Sequence, residues 1–185
     1  KFGLEFFYSK KGRSFISNTK KKNIFLDLKL NDIPNTCASA IKSIKDLNNV
    51  RYITAHINGG LEMLKAIKKE AGKIKVFGVT VLTSLNNKNL KDIGHTKSTN
   101  SIVVKQAYLA KKAKLDGIIC SAREVKYIKK ICKKMDIITP GIRLKHEISQ
   151  DQKRITTPME AYKNGATAIV IGRSITKGNI KKNIV

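Results

Sequence analysis

The chain has 185 residues, of which 41% are hydrophobic, and a formal net charge of +25 at pH 7. This length and apolar content suffice for one domain with a hydrophobic core and exclude wholesale disorder. No run of about 18 apolar residues occurs, which argues against a membrane-spanning helix. The three cysteines lack CxxC spacing, so the sequence predicts reduced thiols in a cytoplasmic protein rather than zinc ligands or disulfides.

The high positive charge has two interpretations, a nucleic-acid-binding surface or a solvated surface rich in lysine. The lysines are spread along the chain as KK pairs, tryptophan is absent, and aromatic residues make up only 6%. Base-stacking side chains are therefore scarce, and the arginines that favour base and phosphate recognition are few beside the lysines. We expect a solvated surface and no nucleic-acid partner, and we keep a non-catalytic basic binding protein as an alternative.

Apolar runs rich in isoleucine and valine alternate with amphipathic segments along the chain. Such unbroken runs are typical of strands buried on both faces of a parallel sheet. At the start, "KFG" is a candidate short strand, and an amphipathic segment follows near 5–20. The other predicted strands lie at 24–28, 52–57, 75–82, 117–121, 136–141 and 168–173, and the helices between them lie near 35–48, 60–71, 100–115, 122–134 and 158–165.

Two of these helices carry recognisable end signals. The segment "TTPMEAYKNGA" has a threonine cap, Pro158 in the first turn and Gly165 as a stop. The segment "SAREVKYIKKICKK" begins with Ser121, which is its predicted cap. Both patterns therefore favour helices directly after predicted strand ends or loops.

Repeated strand–helix units predict an α/β fold with right-handed crossovers. A Rossmann sheet and a TIM (β/α)8 barrel are the main alternatives, and no GxGxxG motif follows the first strand to favour a Rossmann sheet. We predict a single barrel domain over residues 1–185. Because only seven strands are counted and the chain is short for a barrel, we also expect the barrel's first strand to be missing from this chain.

Charged residues lie at the C-terminal ends of the predicted strands, where the active sites of TIM barrels are found. Asp27 and Lys29 are two residues apart and so share one face of a strand, and Lys1 on the first short strand would lie beside them. Such an array keeps each group ionised and holds an ammonium ready to deliver a proton. Asp32 follows this strand, and His56 ends the next strand in either a structural or a catalytic role.

A second set of residues predicts a phosphate site. In "IGRSIT", Gly172 lets backbone N–H groups approach an anion, and Arg173 adds guanidinium donors. The loops after the last two strands are the usual phosphate site of barrels. The segments "TPGIR" and "DQKRITTP" would bring Arg143 and Gln152 to the same phosphate.

The chain resembles the orotidine 5′-phosphate decarboxylase family nearly from end to end. The matching segments, in the family's order, are "KFGLEFF", "DLKLNDIPNT", "TAHINGG", "GVTVLTS", "GIICSAREV", "TPGIR", "DQKRITTP" and "IGRSIT". The DxKxxD element alone would indicate only a wider barrel superfamily, and the "IPNT" and phosphate segments make the resemblance specific. It implies a TIM-barrel homodimer that converts orotidine 5′-phosphate to UMP without a metal or an organic cofactor.

The resemblance also implies a role for each candidate residue. Lys29 would protonate C6 as carbon dioxide leaves, Asp27 would lie against the substrate carboxylate, and Lys1 would keep Asp27 ionised. Asp32 and Thr36 would reach into the active site of a partner subunit. The residues that would bind the pyrimidine and the phosphate are Thr83, Pro140, Arg143, Gln152, Gly172 and Arg173.

Two departures from the family's pattern are visible. An aspartate of the family's first strand is absent, and Ser174 stands where the family usually has the proline of GRPIT. The nearest alternative function is another DxKxxD barrel, a magnesium-dependent decarboxylase or aldolase that acts on a sugar phosphate.

Overall fold

The computed structural model describes residues 1–19, 22–143 and 156–184. The chain divides into two compact units, and each contains parallel strands connected by helices. Unit 1 comprises Lys1–Val79 and Leu109–Gly117, and unit 2 comprises Thr80–Tyr108 and Ile118–Val185.

The described part of unit 1 contains four strands. They are β1 (Phe2–Gly3), β2 (Ile24–Leu30), β3 (Val50–His56) and β4 (Lys75–Val79). Neighbouring strands are parallel, and their order in the sheet is their order in the sequence. Most side chains of β2, β3 and β4 are buried, as expected for strands of a parallel sheet that is covered on both faces.

Helices connect these strands. They are α1 (Leu4–Tyr8), α2 (Gly12–Asn18), α3 (Pro34–Lys42) and α4 (Gly60–Ala71), with a 3₁₀ turn at Ile57–Gly59. Helix α3 begins with proline in its first turn, where the missing N–H costs nothing. The buried face of α4 includes Met63, Leu64 and Ile67, and the helix ends at Gly72, whose φ of 56° only glycine adopts readily.

The pairing of β2 with β3 is interrupted near the C-terminal end of β2. Three residues of β2 lie opposite one residue of β3, between the pairs Leu26–Ile53 and Leu30–Ala55. Within this bulge Lys29 has a φ of 51°, a left-handed conformation that is uncommon for any residue except glycine. Bulges of this kind change the direction of side chains and occur often beside active sites.

Unit 2 contains the remaining described strands, β5 (Gly117–Ile119), β6 (Asp136–Thr139) and β7 (Ala168–Ile169), in that order in the sheet. Strand β5 begins at the last residue of unit 1, and β6 and β7 are parallel. The helices are α5 (Asn87–Asp92), α6 (Thr99–Lys112), α7 (Val125–Ile131), α8 (Pro158–Lys163), α9 (Arg173–Thr176) and α10 (Ile180–Ile184), and the last residues of α6 belong to unit 1.

Capping boxes fix the start of two helices of unit 2. In α5 the box joins Asn86 and Asn89, and in α8 it joins Thr157 and Glu160. Gly165 follows α8 with a φ of 102°, so the stop signal in "TTPMEAYKNGA" is confirmed. These caps satisfy backbone N–H groups that have no partner within the helix.

The three cysteines, Cys37, Cys120 and Cys132, are free and buried. Burial raises the pKa of the Cys37 thiol above its ordinary value, which makes this thiol a poor nucleophile at neutral pH. Among the described helices, none is long and apolar enough to cross a membrane.

The α/β class with parallel strands is confirmed, and each predicted apolar run, including "KFG", contains a strand. The amphipathic segment near 5–20 is helical but is divided into two helices, α1 and α2. Ser9 ends α1 by donating from its hydroxyl to the Phe6 carbonyl at 2.7 Å. A Cβ on Gly12 would lie only 1.8 Å from the same carbonyl oxygen, so the tight connection requires glycine.

The predicted cap of the helix over 122–134 is wrong. Ser121 donates its N–H to Glu124 Oε2 at 3.0 Å and closes a turn, and α7 begins only after that turn. Helix α5 was not predicted, because its six residues carry too few apolar side chains to show a helical period.

Candidate active site

Three charged side chains of unit 1 form the centre of the candidate site, which we call the charged cluster: Lys1, Asp27 and Lys29. Lys1 Nζ lies 2.6 Å from Asp27 Oδ2, and Lys29 Nζ lies 2.9 Å from the same oxygen. The Asp27 side chain is 11% exposed, and each lysine side chain is 31% exposed. One carboxylate oxygen therefore bridges two ammonium groups that remain accessible to a ligand.

The parallel pairing of β1 and β2 explains why these residues meet. Gly3 of β1 lies opposite Asp27 of β2, so the residue that precedes β1 is carried to the carboxylate. Lys29 is two residues beyond Asp27 and lies in the bulge. The structure thus brings together the three residues that the sequence pattern grouped. Lys29 reaches Asp27 because its backbone is left-handed, and not through the simple alternation of side chains along a strand.

Thr54 is a member of this site that the sequence analysis missed. It lies on β3 with no exposed surface. Its hydroxyl donates to Asp27 Oδ1 at 3.0 Å and accepts from the Lys29 backbone N–H at 2.8 Å. A hydroxyl in the buried run "YITAHI", one strand away from a buried carboxylate, was the only signal that could have identified it.

The charged cluster determines the ionisation of Asp27. Burial raises the pKa of this carboxyl, but the hydrogen bonds and charges of Lys1 and Lys29 outweigh burial and hold the pKa below its ordinary value. Asp27 is therefore a carboxylate at neutral pH, even though its side chain is almost buried.

Asp27 should make the stability of the fold depend on pH. Because its pKa is lower in the folded state, its contribution is complete above the unfolded value of about 3.9 and is lost as pH falls through the folded value. We expect Asp27→Asn to be less stable than wild type at pH 7, with a difference that shrinks below about pH 4. Urea unfolding between pH 7 and pH 3 measures this.

Asp46→Asn is the matched control for this experiment. Asp46 pairs with Arg13 at 2.7 Å, but the two side chains are 64% and 45% exposed, so solvent screens the pair. We expect a small effect of Asp46→Asn at every pH. A difference between wild type and Asp27→Asn that stays constant from pH 7 to pH 3 would contradict the lowered pKa.

His56 ends β3 and is half-buried. Burial and the positive charge of Lys29 lower the pKa of the imidazole, and Asp27 opposes them without reversing the shift. His56 is therefore neutral at pH 7, since its ordinary pKa is already about 6.5. A neutral imidazole beside the charged cluster donates or accepts hydrogen bonds without adding charge.

Asp32 and Thr36 do not join the charged cluster. Both are exposed, Asp32 after the end of β2 and Thr36 in the first turn of α3. Asp32 Oδ1 accepts from the Ile33 N–H at 2.6 Å, which fixes the carboxylate locally. The neighbouring Ile33 side chain is 65% exposed, so this end of unit 1 presents a carboxylate, a hydroxyl and an apolar group to solvent.

Unit 2 contains most of the candidate substrate-binding residues. Thr83 lies half-buried in the turn after β4, and Pro140 directly follows β6. Arg143 is only 8% exposed; its backbone N–H donates to the Thr156 carbonyl at 3.0 Å, and its Nη1 donates to the Ile142 carbonyl at 2.8 Å. The guanidinium of Arg143 is therefore anchored by its own backbone segment.

The last strand is followed by the "GRSIT" segment. Gly172 is the N-terminal cap of α9, is exposed, and has open space where a Cβ would lie. Arg173 is half-buried in the first position of α9. The remaining predicted phosphate ligand, Gln152, lies outside the described residues.

Within residues 1–19, 22–143 and 156–184, no three histidine, cysteine, aspartate or glutamate side chains are grouped as a metal site would require. The chemistry offered by the charged cluster is that of ammonium and carboxylate groups. A fixed ammonium can stabilise a developing negative charge and donate a proton to it.

Comparison with known proteins identifies the family of the chain. The sequence profile described as orotidine 5′-phosphate decarboxylase / HUMPS family matches residues 1–183. The chain belongs to this family. The resemblance seen in the sequence motifs is therefore confirmed.

Relatives in the orotidine 5′-phosphate decarboxylase / HUMPS family match nearly the whole chain. A protein of Wolbachia pipientis subsp. Culex pipiens, named orotidine 5′-phosphate decarboxylase, is 47% identical over 184 residues, which cover 97% of this chain and 80% of that protein. A protein of the same name from Ehrlichia canis is 45% identical over 181 residues, covering 95% of this chain and 78% of that protein.

Solved structures also match. The crystal structure of orotidine 5′-phosphate decarboxylase from Lactobacillus acidophilus has a TM-score of 0.82 and 33% sequence identity, covering 98% of this chain and 84% of that chain. Lys1, Asp27 and Lys29, which contact one another in the structure, are also the residues to which the sequence resemblance assigned the chemistry.

Proposed function

We propose that this chain catalyses the decarboxylation of orotidine 5′-phosphate to UMP in pyrimidine biosynthesis. Membership of the decarboxylase family and the relatives that carry this name support the reaction. The observation that carries the proposal is the charged cluster, in which Lys29 Nζ lies 2.9 Å and Lys1 Nζ lies 2.6 Å from one oxygen of Asp27.

In this proposal Lys29 is the proton donor. The bond between C6 and the carboxyl carbon breaks, its electron pair stays on C6, and carbon dioxide leaves. The carbanion has no conventional electron sink, so a fixed ammonium stabilises the developing charge. A proton then moves from Lys29 Nζ to C6 and forms the C–H bond of UMP, and the neutral amine regains a proton from water.

Asp27 is proposed to lie against the substrate carboxylate. Because the two lysines hold its pKa low, Asp27 is charged when substrate binds, and repulsion between the two carboxylates is relieved as carbon dioxide leaves. Lys1 keeps Asp27 ionised and oriented through the 2.6 Å contact. His56 is proposed to stay neutral near these groups.

The substrate's phosphate and base are proposed to bind residues of unit 2. Arg143, Gly172, Arg173 and Gln152 are the phosphate ligands of this proposal, with Pro140 beside them and Thr83 at the pyrimidine. The burial of Arg143 and the open space at Gly172 support a site for an anion. Binding energy from a remote phosphate can lower the barrier at the base, provided that it is realised in the transition state.

We further propose that the chain is a single (β/α)8-barrel domain acting as a cytoplasmic homodimer. Asp32 and Thr36 would then complete the active site of the partner subunit, and their exposure in the chain supports this arrangement. The missing first strand stays a prediction. The net charge of +25 is interpreted as a solvated surface.

An ultraviolet assay of orotidine 5′-phosphate loss tests the proposed function. We expect decarboxylation at an unchanged rate in the presence of EDTA, because the proposed mechanism uses only side chains of the protein. Activity that disappears with EDTA and returns with Mg²⁺ would favour the magnesium-dependent sugar-phosphate enzymes of the superfamily. Salt-sensitive binding to mixed-sequence nucleic acid without decarboxylation would favour the basic binding protein.

A further inference from the structure

We propose that Thr54 is a positioning residue that holds Asp27 and Lys29 in their reactive geometry through one shared hydroxyl. The proposal rests on the proposed decarboxylase function and concerns a residue that does not itself contact the substrate, since Thr54 has no exposed surface. It assigns a role in catalysis to β3, which otherwise contributes only His56 at its end.

The two hydrogen bonds of Thr54 have a fixed direction. A hydroxyl has one proton to donate and two lone pairs that accept. The Lys29 backbone N–H can only donate, so the hydroxyl accepts from it at 2.8 Å. The single hydroxyl proton is therefore free for Asp27 Oδ1, which accepts it at 3.0 Å. The hydroxyl consequently connects the backbone of the proton donor with the carboxylate beside it.

The bulge in β2 explains why this connection is needed. The residue of β3 that faces the bulge, between the pairs Leu26–Ile53 and Leu30–Ala55, is Thr54. Lys29 is strained there at a φ of 51°, and such a conformation persists only when its surroundings fix it. The bond from the Lys29 N–H to the Thr54 hydroxyl provides that restraint.

Because Thr54 binds Asp27, the two carboxylate oxygens of Asp27 have different partners. Asp27 Oδ2 bridges the two ammonium groups, and Oδ1 accepts from Thr54. The charged and titratable groups that face this carboxylate are Lys1 ahead of β1, Lys29 on β2 and His56 at the end of β3. With both oxygens bonded, the carboxylate plane cannot rotate without the loss of a hydrogen bond.

Thr54→Val tests the role, because valine has nearly the shape of threonine and removes only the hydroxyl. We expect kcat to fall by about 10- to 100-fold, since a small displacement of a reacting group has a large effect on rate. KM should change by less than about threefold, because uniform substrate binding is untouched. The acid limb of the kcat profile should move to higher pH, because Asp27 loses a donor to its charged form.

Two further variants separate positioning from stability. Thr54→Ser keeps the hydroxyl and should restore both kcat and the acid limb. Thr167→Val is the matched control, because the Thr167 hydroxyl likewise accepts from a strand N–H, that of Ile137, at 2.8 Å and donates to an oxygen, the Ile137 carbonyl, at 3.1 Å. Thr167 precedes β7, at the amino end of that strand, and its loss should lower the unfolding midpoint while kcat and the acid limb stay unchanged.

A ¹³C NMR titration of the Asp27 carboxyl, with wild type and Thr54→Val compared, completes the experiment. We expect a higher pKa in the variant, and this comparison remains informative if the wild type does not decarboxylate orotidine 5′-phosphate, in which case the proposed function fails by itself. An active wild type together with a folded Thr54→Val variant of unchanged kcat, unchanged acid limb and unchanged Asp27 pKa would overturn the role of Thr54. So would Thr54→Ser behaving like Thr54→Val.

Discussion

Lys29→Ala is expected to reduce kcat for orotidine 5′-phosphate by at least about 10³-fold, because the change removes both the proposed proton donor and the ammonium that would stabilise the carbanion. The substitution should have a limited effect on the fold. The Lys29 side chain is 31% exposed, and alanine meets the same backbone strain as lysine at a φ of 51°. The ultraviolet assay measures kcat, and thermal unfolding measures stability.

Lys114→Ala is the matched control for this variant. Lys114 is the other residue besides glycine with a positive φ, 57°, in the described chain, and it is exposed. Both variants therefore replace a lysine by alanine in a left-handed backbone, but only one change touches the charged cluster. We expect wild-type kcat from Lys114→Ala. A Lys29→Ala enzyme that keeps the wild-type rate would refute Lys29 as the proton donor.

Mixing two inactive variants is expected to regenerate activity if the site is shared between subunits. Lys29→Ala and Asp32→Ala chains, unfolded together and refolded at equal concentration, should form hybrids as half of all dimers. One site of each hybrid carries both lesions and the other carries none, so activity should recover to about a quarter of the wild-type level. Each variant refolded alone should stay close to inactive.

A mixture of Lys29→Ala with Asp27→Asn is the control for subunit exchange. These two residues contact each other within one chain, so every site of a hybrid contains one lesion and no activity should return. Different affinity tags on the two chains allow the hybrids to be isolated and counted. Isolated hybrids of Lys29→Ala and Asp32→Ala that remain inactive would show that Asp32 does not serve the partner's site.

The sequence was sufficient to predict the strands and the grouping of the charges. Unbroken apolar runs located β2 and β3, and the charges at their ends indicated a site because buried charges require partners. The contact of Lys1 with Asp27 could also be anticipated, since it requires only that the first two strands be neighbours.

Other features of the site could not be predicted in the same way. The bulge has no glycine to mark it, because the left-handed position is occupied by Lys29 itself. Thr54 resembles any β-branched residue in a buried strand, and only the register of β2 against β3 reveals that its hydroxyl meets Asp27. Gln152 lies outside the described residues, so the phosphate site of the proposal rests on the remaining residues of unit 2.

At the left-handed position of Lys29, local folding stability and the proposed activity favour different residues. Glycine at this position would relieve a conformational cost of about 1 kcal/mol, yet it would remove the ammonium on which the proposed chemistry depends. The residue that best suits the backbone is therefore not the residue that suits the reaction. Under the proposed mechanism, selection for thermostability alone would favour glycine at position 29, whereas selection for turnover would favour lysine.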